Sequence, residues 1–576
     1  MPSKHPCWLP RGANDARVTR AESDNVVDTL RSRGVDVDYL VFDDEGYGFV
    51  NPENNITFAT TGFSTARATD ITYGRKALSF KVFRPAIIAL AMAGVLVTGC
   101  TQSSTQSSDQ PQLEPPLQWN ACPEGVENPD DGPPRLQCAT VPVPLDYENP
   151  DGTRIDITIS RLPSGNPDAR RGVLLLNPGG PGGTGLDQPK FLESLGMPKS
   201  VLDTYDLIGM DTRGVGHSSP ISCGFTEDLE YYGAVPPYAV DEAAFAEQMA
   251  TSKEVAERCA ANDEDGTLRH VNTANMARDL DRIRLALGEE QASFLGYSYG
   301  TALGAAYASM FPDTTDRIVL DSNIGDTHLD RDGLRRYAQG MEETFPDFAE
   351  WAANEHDRYG LGETAEDVRE TYFRIADELD KAPVDGINGR LFRLSTFATL
   401  YNPLSYEAAA ESWKYFTDRA GGVPSEDSVV ADQAPAMDNN WSVFLAVTCN
   451  DIEWPNDVAP YRQAVEDDRT TYPLFGAAAA NIMPCAFWKT TPSEPAVSID
   501  DEGSADILIA QHQRDPVTPL AGGQLLDDKF GDRSTLLTVD GSGHGVFVLG
   551  KNACAQDVVA GYLVDGVMPS DDLTCR

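Results

Sequence analysis

Five times between residues 172 and 545, a short apolar run ends in text rich in glycine and polar residues. Runs 172–176, 206–210, 292–295, 506–510 and 536–539 precede NPGGPGG, DTRGVGHS, GYSYG, QHQRDPVTP and DGSGHG. Helical text fills the gaps. Strands alternating with helices predict an α/β fold built on a mostly parallel, doubly wound sheet. Such sheets gather ligands at the carboxyl ends of their strands, where loops splay apart. All five strand exits carry residues suited to chemistry.

The helices are legible by period. After Thr273, Met276, Leu280, Ile283 and Leu287 share one face and lead into the third run. After Thr364, Val368, Tyr372, Ile375 and Leu379 do the same, with Asp367 completing a capping box. Residues 327–440 lack the strand rhythm and are rich in acidic helical text, which reads as a mostly helical cap. The sheet domain then has two parts, 117–326 and 441–576, with the chain re-entering it at the apolar run 443–447.

Gly296-Tyr297-Ser298-Tyr299-Gly300 follows a strand and opens a helix of small residues. A sharp turn there needs glycine on both sides and lifts the Ser298 hydroxyl clear of the sheet as a nucleophile. A hydroxyl needs a base, and the chain has 7 His. His544, among small residues in Gly541-Ser542-Gly543-His544-Gly545, follows a strand and can reach inward. Between Ser298 and His544, Asp515 stands at a strand exit, where a carboxylate would orient the imidazole and steady its charged form. An oxyanion needs two converging backbone N–H groups. Tyr299, the residue after the nucleophile, supplies one, and Gly180 in the 177–183 loop the other. A phosphate cradle is the alternative for that loop, but it has no P-loop Lys-Ser/Thr.

Residues 75–99 have the order of an export signal. Arg75, Lys76, Lys81 and Arg84 precede the 13-residue apolar run 85–97, too short for a span of about 20, and Val97-Thr98-Gly99-Cys100 closes it. The last four resemble a bacterial lipobox, with Cys100 lipidated as the mature N-terminus and residues 100–116 a flexible tether. Residues 11–58 resemble the closing stretch of prolyl-oligopeptidase-type peptidases. Asp15 matches that pattern, but Tyr47 stands where its His belongs, and a phenol of pKa about 10 is no neutral-pH base. Residues 1–74 are therefore read as a non-functional extension or a misplaced start.

Behind an export signal, the even set Cys122, Cys138, Cys223, Cys259, Cys449, Cys485, Cys554 and Cys575 suggests disulfides. Sequence alone does not choose the pairing; neighbours are expected, 122–138, 223–259, 449–485 and 554–575. With neither C-x-x-C nor H-E-x-x-H, no metal site is expected. Residues 1–99 hold 11 basic and 11 acidic side chains, so the rest of the chain carries the whole formal charge of −44. That excess speaks against nucleic acid, whose binding relies on Lys and Arg.

Together NPGGPGG, DTRGVGHS, GYSYGT, DPVTP and GSGHG, over roughly 117–576, resemble the proline iminopeptidase and exported tripeptidyl aminopeptidase branch of the α/β-hydrolases. The resemblance implies an α/β-hydrolase fold, Ser298, Asp515 and His544 as a triad, the same cysteine pairs, no cofactor, and peptides with free N-termini as substrates. One departure is that the family's H-G-G-P-G reads Pro178-Gly179-Gly180-Pro181-Gly182. An aminopeptidase also needs a carboxylate for the substrate's ammonium, and Asp451, after the 443–447 run, is the candidate. A carboxylesterase or lipase of the same fold is the nearest rival, and a non-catalytic surface-binding lipoprotein a more distant one. Either way the protein is expected to be exported, as a cell-envelope lipoprotein or a secreted protein. Mass spectrometry of the native N-terminus is expected to find a lipid-bearing Cys100; a mature chain starting elsewhere would contradict the lipobox.

Overall fold

The computed structural model describes residues 117–126, 135–226, 231, 233–419, 434–504 and 506–576, with the strands at 7–14 and 37–46. The export signal, Cys100 and the tether lie outside the described residues. The chain divides into two units, Met1–Pro115 and Pro116–Arg576. In the first, β1 (Cys7–Asn14) and β2 (Val37–Gly46) pair in parallel.

The second unit is built on one nine-stranded sheet, ordered β11-β10-β9-β8-β7-β5-β6-β4-β3. β3 (Gln137–Pro144) and β4 (Arg154–Leu162) pair antiparallel at one edge, and β4 is antiparallel to β6 (Tyr205–Met210). The remaining pairs are parallel: β5 (Gly172–Asn177), β7 (Ala292–Tyr297), β8 (Thr315–Asp321), β9 (Ile507–Arg514), β10 (Ser534–Ser542) and β11 (Leu573–Cys575). Every residue of β5, β6 and β7 is buried, which is why these strands read as predominantly apolar runs.

Short helices α1 (Gln188–Ser194) and α2 (Lys199–Thr204) join β5 to β6. The longer α3 (Glu242–Asn262) and α4 (Thr273–Leu287) precede β7, and α5 (Tyr299–Met310) follows it. From β5 the chain winds first to β6 on one side, then returns to place β7 on the other. The winding reverses between β5 and β7, and a crevice opens at the carboxyl ends of such a pair.

Between β8 and β9 come α6 (Arg331–Asn354), α7 (His356–Tyr359), α8 (Ala365–Lys381), α9 (Gly389–Thr399), α10 (Tyr406–Arg419), α11 (Ala434–Asn450), α12 (Ala459–Thr471) and α13 (Gly476–Ala479). α4 and α8 fall where their periods put them, α8 with its Thr364–Asp367 capping box. Within the insertion Trp413, on α10, packs against Phe345, Phe348, Tyr372 and Phe392 at ring separations of 5.1–6.1 Å, and this aromatic group is continuous with the core on the sheet.

The sequence places the start of the sheet domain's second part at 441, with the run 443–447. Residues 443–447 lie inside α11, and the chain rejoins the sheet only at Ile507. All five are buried, so the helix is apolar all round here and shows no period to tell it from a strand. α14 (Leu520–Phe530) and α15 (Ala553–Asp565) complete the fold.

Among the described residues four disulfides form between sequence neighbours: Cys122–Cys138, Cys223–Cys259, Cys449–Cys485 and Cys554–Cys575. Within DTRGVGHS the chemistry is architectural. Asp211 accepts the amides of Gly185 and His217, each at 2.9 Å, and so fastens the loops after β5 and β6 together. The fully buried Arg213 forks onto Asp279 of α4 through two 2.7 Å bonds and also reaches the carbonyls of Leu145, His270 and Pro144. Asp279→Ala leaves that guanidinium buried without its counter-charge, so it is expected to lower the unfolding free energy by about 3–5 kcal/mol. Denaturant titration checks this, and a loss below about 1 kcal/mol would show the pair to be energetically idle.

Candidate active site

β7 ends at Tyr297 and α5 begins at Tyr299, so the whole change of direction falls on Ser298, at φ 56° and ψ −124°. A serine rarely takes a positive φ, and the surroundings hold it there. Its amide donates to the Asp321 carbonyl on β8 at 3.0 Å, and its carbonyl accepts the Thr301 amide and hydroxyl at 2.9 and 2.6 Å. Gly296 is required by the close approach of helix to strand: a Cβ there would stand 2.3 Å from the Gly300 carbonyl oxygen.

Because β5 pairs with β7 out to Asn177 and Gly296, the loop after β5 lies directly on this turn. Gly179, at φ 90°, shows how closely. A Cβ on it would come within 2.4 Å of the Tyr297 carbonyl, 2.9 Å of the Ser298 Cβ and 3.1 Å of the Tyr299 nitrogen. The Asn177 side-chain oxygen accepts the Gly179 amide at 3.0 Å and shapes the loop. Gly180 follows at once. Tyr299 opens α5, so its N–H has no acceptor in a preceding helical turn.

Asp515 and His544, 29 residues apart, meet at the ends of β9 and β10. The imidazole Nδ1 lies 2.9 Å from one carboxylate oxygen and 3.2 Å from the other. Burial alone would raise the Asp515 carboxyl, but the charge and hydrogen bond of His544, with the amides of Thr518 and Val517, outweigh it and hold the group below its usual range. For His544 burial disfavours the charged ring, yet the charge and hydrogen bond of Asp515, with the charge of Asp321, carry the net shift upward. The arrangement favours an imidazole that accepts a proton and keeps it stabilised.

Several residues here were not singled out from the sequence. The Thr518 hydroxyl donates to Asp515 at 2.9 Å and lies 3.2 Å from His544 Nδ1, completing a three-membered contact. The D-P-V-T spacing was its only sequence signal. The insertion between β8 and β9 contributes directly. The Tyr401 carbonyl accepts the His544 amide at 2.7 Å, and its ring packs edge-on to the imidazole at 5.4 Å. On α6, Gly340 lies so near the Asp515 and Pro516 carbonyls that a Cβ would come within 2.6 and 2.4 Å of them. Asp347, two turns along, accepts from Arg514 at 2.6 Å and from the Ser542 hydroxyl. No local pattern marks contacts of this range.

Asp451, the residue expected to meet the substrate's ammonium, is held within the fold. It is 6% exposed and faces the start of α4, accepting the Thr273 amide at 2.7 Å and its hydroxyl at 2.6 Å. The Thr273 oxygen in turn lies 2.6 Å from the Tyr299 hydroxyl. Burial, opposed by the Thr273 bonds, pushes Asp451 up to about 7. Both carboxylate oxygens are thus engaged at the start of α4, and the residue also lines a small cavity with His328 and Glu494. Among the described residues, no group of three or more His, Cys, Asp or Glu is placed to hold a metal ion.

The strand order and the strained serine together define the class: this is a serine hydrolase with the α/β-hydrolase fold. Residues 172–394 match the family described as alpha/beta hydrolase fold, and residues 472–575 match the TAP-like protein family. The chain is 32% identical to the tripeptidyl aminopeptidase of Streptomyces lividans over 453 residues, which cover 76% of this chain and 83% of that one. It is 28% identical to the serine protease Hip1 of Mycobacterium tuberculosis over 523 residues, covering 84% and 96%. To a carboxylesterase B of the same organism it is 29% identical over 511 residues, covering 84% and 95%. The chain belongs to the TAP-like family of α/β-hydrolases.

The pairing of His544 with Asp515 has a direct spectroscopic consequence. In an NMR titration the His544 ring is expected to titrate above the ordinary value of about 6.5, and Asp515→Asn is expected to move it down. A ring titrating below 6.5 in the unaltered protein would show that burial, not the carboxylate, governs it.

Proposed function

We propose that this chain is an exported serine exopeptidase that releases short N-terminal units, tripeptides among them, from peptides through an acyl-enzyme. The observation that carries this reading is the 2.9 Å Asp515–His544 pair at the strand edge that also presents Ser298. The similarity to a tripeptidyl aminopeptidase and a serine protease supports peptides as substrates.

In the proposed cycle Ser298 Oγ attacks the scissile carbonyl carbon while its proton passes to His544 Nε2. Asp515, ionised throughout, holds Nδ1 and steadies the imidazolium. The carbonyl oxygen takes the negative charge and is met by the Gly180 and Tyr299 amides. The tetrahedral centre collapses, the C–N bond breaks, and His544 returns its proton to the leaving amine. Water, activated by the same imidazole, then cleaves the acyl-enzyme and restores Ser298.

The Gly179 backbone, wedged against Ser298 and Tyr299, supports Gly180 as the second donor. Four disulfides fit an oxidising compartment. Lipidation of Cys100 would hold the enzyme at the outer surface of a membrane through its tether.

A carboxylesterase is the second reading, favoured by the similarity to carboxylesterase B. Substrate panels separate the two. A fluorophosphonate probe is expected to label the unaltered protein and not Ser298→Ala. Chromogenic tripeptides with a free amine are expected to turn over at least about 100-fold faster than their N-acetylated forms, since the proposed exopeptidase must recognise the free amine. Equal rates on the two, with short acyl esters preferred, would assign the esterase.

A further inference from the structure

Five successive amides, from Gly543 to Phe547, each find an acceptor outside their own loop. Gly543 donates to the Arg514 carbonyl at 3.0 Å and His544 to the Tyr401 carbonyl at 2.7 Å. The other three converge on the end of β8. The Gly545 amide donates to Ser322 Oγ at 2.8 Å, Val546 to Asp321 Oδ1 at 2.9 Å, and Phe547 to Asp321 Oδ2 at 2.7 Å. The Ser322 hydroxyl closes the set by donating to Asp321 Oδ1 at 3.0 Å. A fully buried carboxylate thus sits in a concavity of backbone N–H groups, the arrangement that binds anions elsewhere. The mechanism derived above does not use it.

The same residue also touches the nucleophile. Its carbonyl accepts the Ser298 amide at 3.0 Å. Tyr297, paired with Asp321 across the strands and immediately before the serine, donates its hydroxyl to the Phe547 carbonyl at 2.9 Å. Asp321 therefore spans the interval between the serine turn and the histidine loop, main chain to one and side chain to the other. Ser322 next to it takes φ 64°, a positive value that serine rarely adopts and that the Gly545 and Ala510 contacts hold in place.

We infer that Asp321 is a positioning residue of the reaction: its carboxylate, bound by the amides of Val546 and Phe547, fixes the histidine loop at the depth where His544 serves Ser298. Two hydrogen bonds to a buried ionised acceptor are strong and directional, and displacements of about 1 Å at such a site cost on the order of 100-fold in rate. The charge contributes as well, since Asp321 helps to favour the protonated imidazole. The charged and titratable groups facing His544 are Asp515 and His512 from β9 and its exit, Asp321 from β8, and Tyr401 from the cap.

The inference rests on Ser298, Asp515 and His544 acting as the triad, and the test keeps the two apart. Asp321→Asn leaves one acceptor oxygen and turns an NH2 toward a backbone N–H. It is expected to lower kcat and the rate of fluorophosphonate labelling by about 10–100-fold, with KM within about twofold. The acid limb of kcat/KM should shift to lower pH, because a group that raises His544 has gone. Circular dichroism verifies the fold.

Should Asp321→Asn yield no folded protein, Ser322→Ala takes its place. It strips Gly545 of its acceptor while keeping the carboxylate, and a several-fold fall in kcat at unchanged KM is expected. If Ser298→Ala is inert while the folded Asp321→Asn protein matches the wild type in kcat, KM and acid limb, the inference is overturned and the triad stands; unchanged kcat in Ser322→Ala, where that variant replaces it, overturns it equally. If Ser298→Ala is still labelled, it is the triad that fails.

Discussion

β7 lies between β5 and β8, and that placement decides where everything else in the site can be. Its parallel pairing with β5 lays the glycine loop across the Ser298 turn, so closely that Gly179 has no room for a Cβ. Its pairing with β8 delivers the Asp321 carbonyl to the Ser298 amide. β9 and β10, next in order, bring Asp515 and His544 to the same edge from some 200 residues further along the chain. The insertion reaches back over this edge, with Tyr401 on the histidine and Gly340 on the acid loop. Sheet and cap meet at the chemistry rather than away from it.

Three buried aspartates show how surroundings separate groups of one kind. Asp515 faces the imidazole and two amides and is held below its ordinary value. Asp321, sharing only neutral donors and a more distant ring, is pushed up to about 6 by burial. Asp451, with Thr273 as its donor and Glu494 nearby, goes to about 7. The carboxylate that must stay charged beside the histidine is the one given the strongest compensation for leaving water.

Much of this was legible in the residues. Burial on both faces made the central strands read as apolar runs, and the strained turn at Ser298 has few sequence solutions, so GYSYG was informative. Asp515 and His544 could be chosen because each stands just past a strand among small or turn-forming residues. Other features were hidden for physical reasons. Residues 443–447 are buried all round, so the run carries no helical period. Asp451 is a common type in a plausible place, and only its Thr273 contacts reveal a helix-capping role. Tyr401, Gly340 and Asp321 contact partners that local sequence does not name.

In the proposed cycle Ser298 Oγ forms the bond to the acyl carbon, and its neighbours are arranged around the charge that results. A crystal structure of the protein inactivated by a tripeptidyl phosphonate with a free N-terminus tests this most directly. Phosphorus is expected on Ser298 Oγ, with one phosphoryl oxygen about 2.7–3.1 Å from the Gly180 and Tyr299 amides and His544 Nε2 within hydrogen-bond reach of Oγ. Phosphorus on another residue, or a phosphoryl oxygen turned away from both amides, would contradict it.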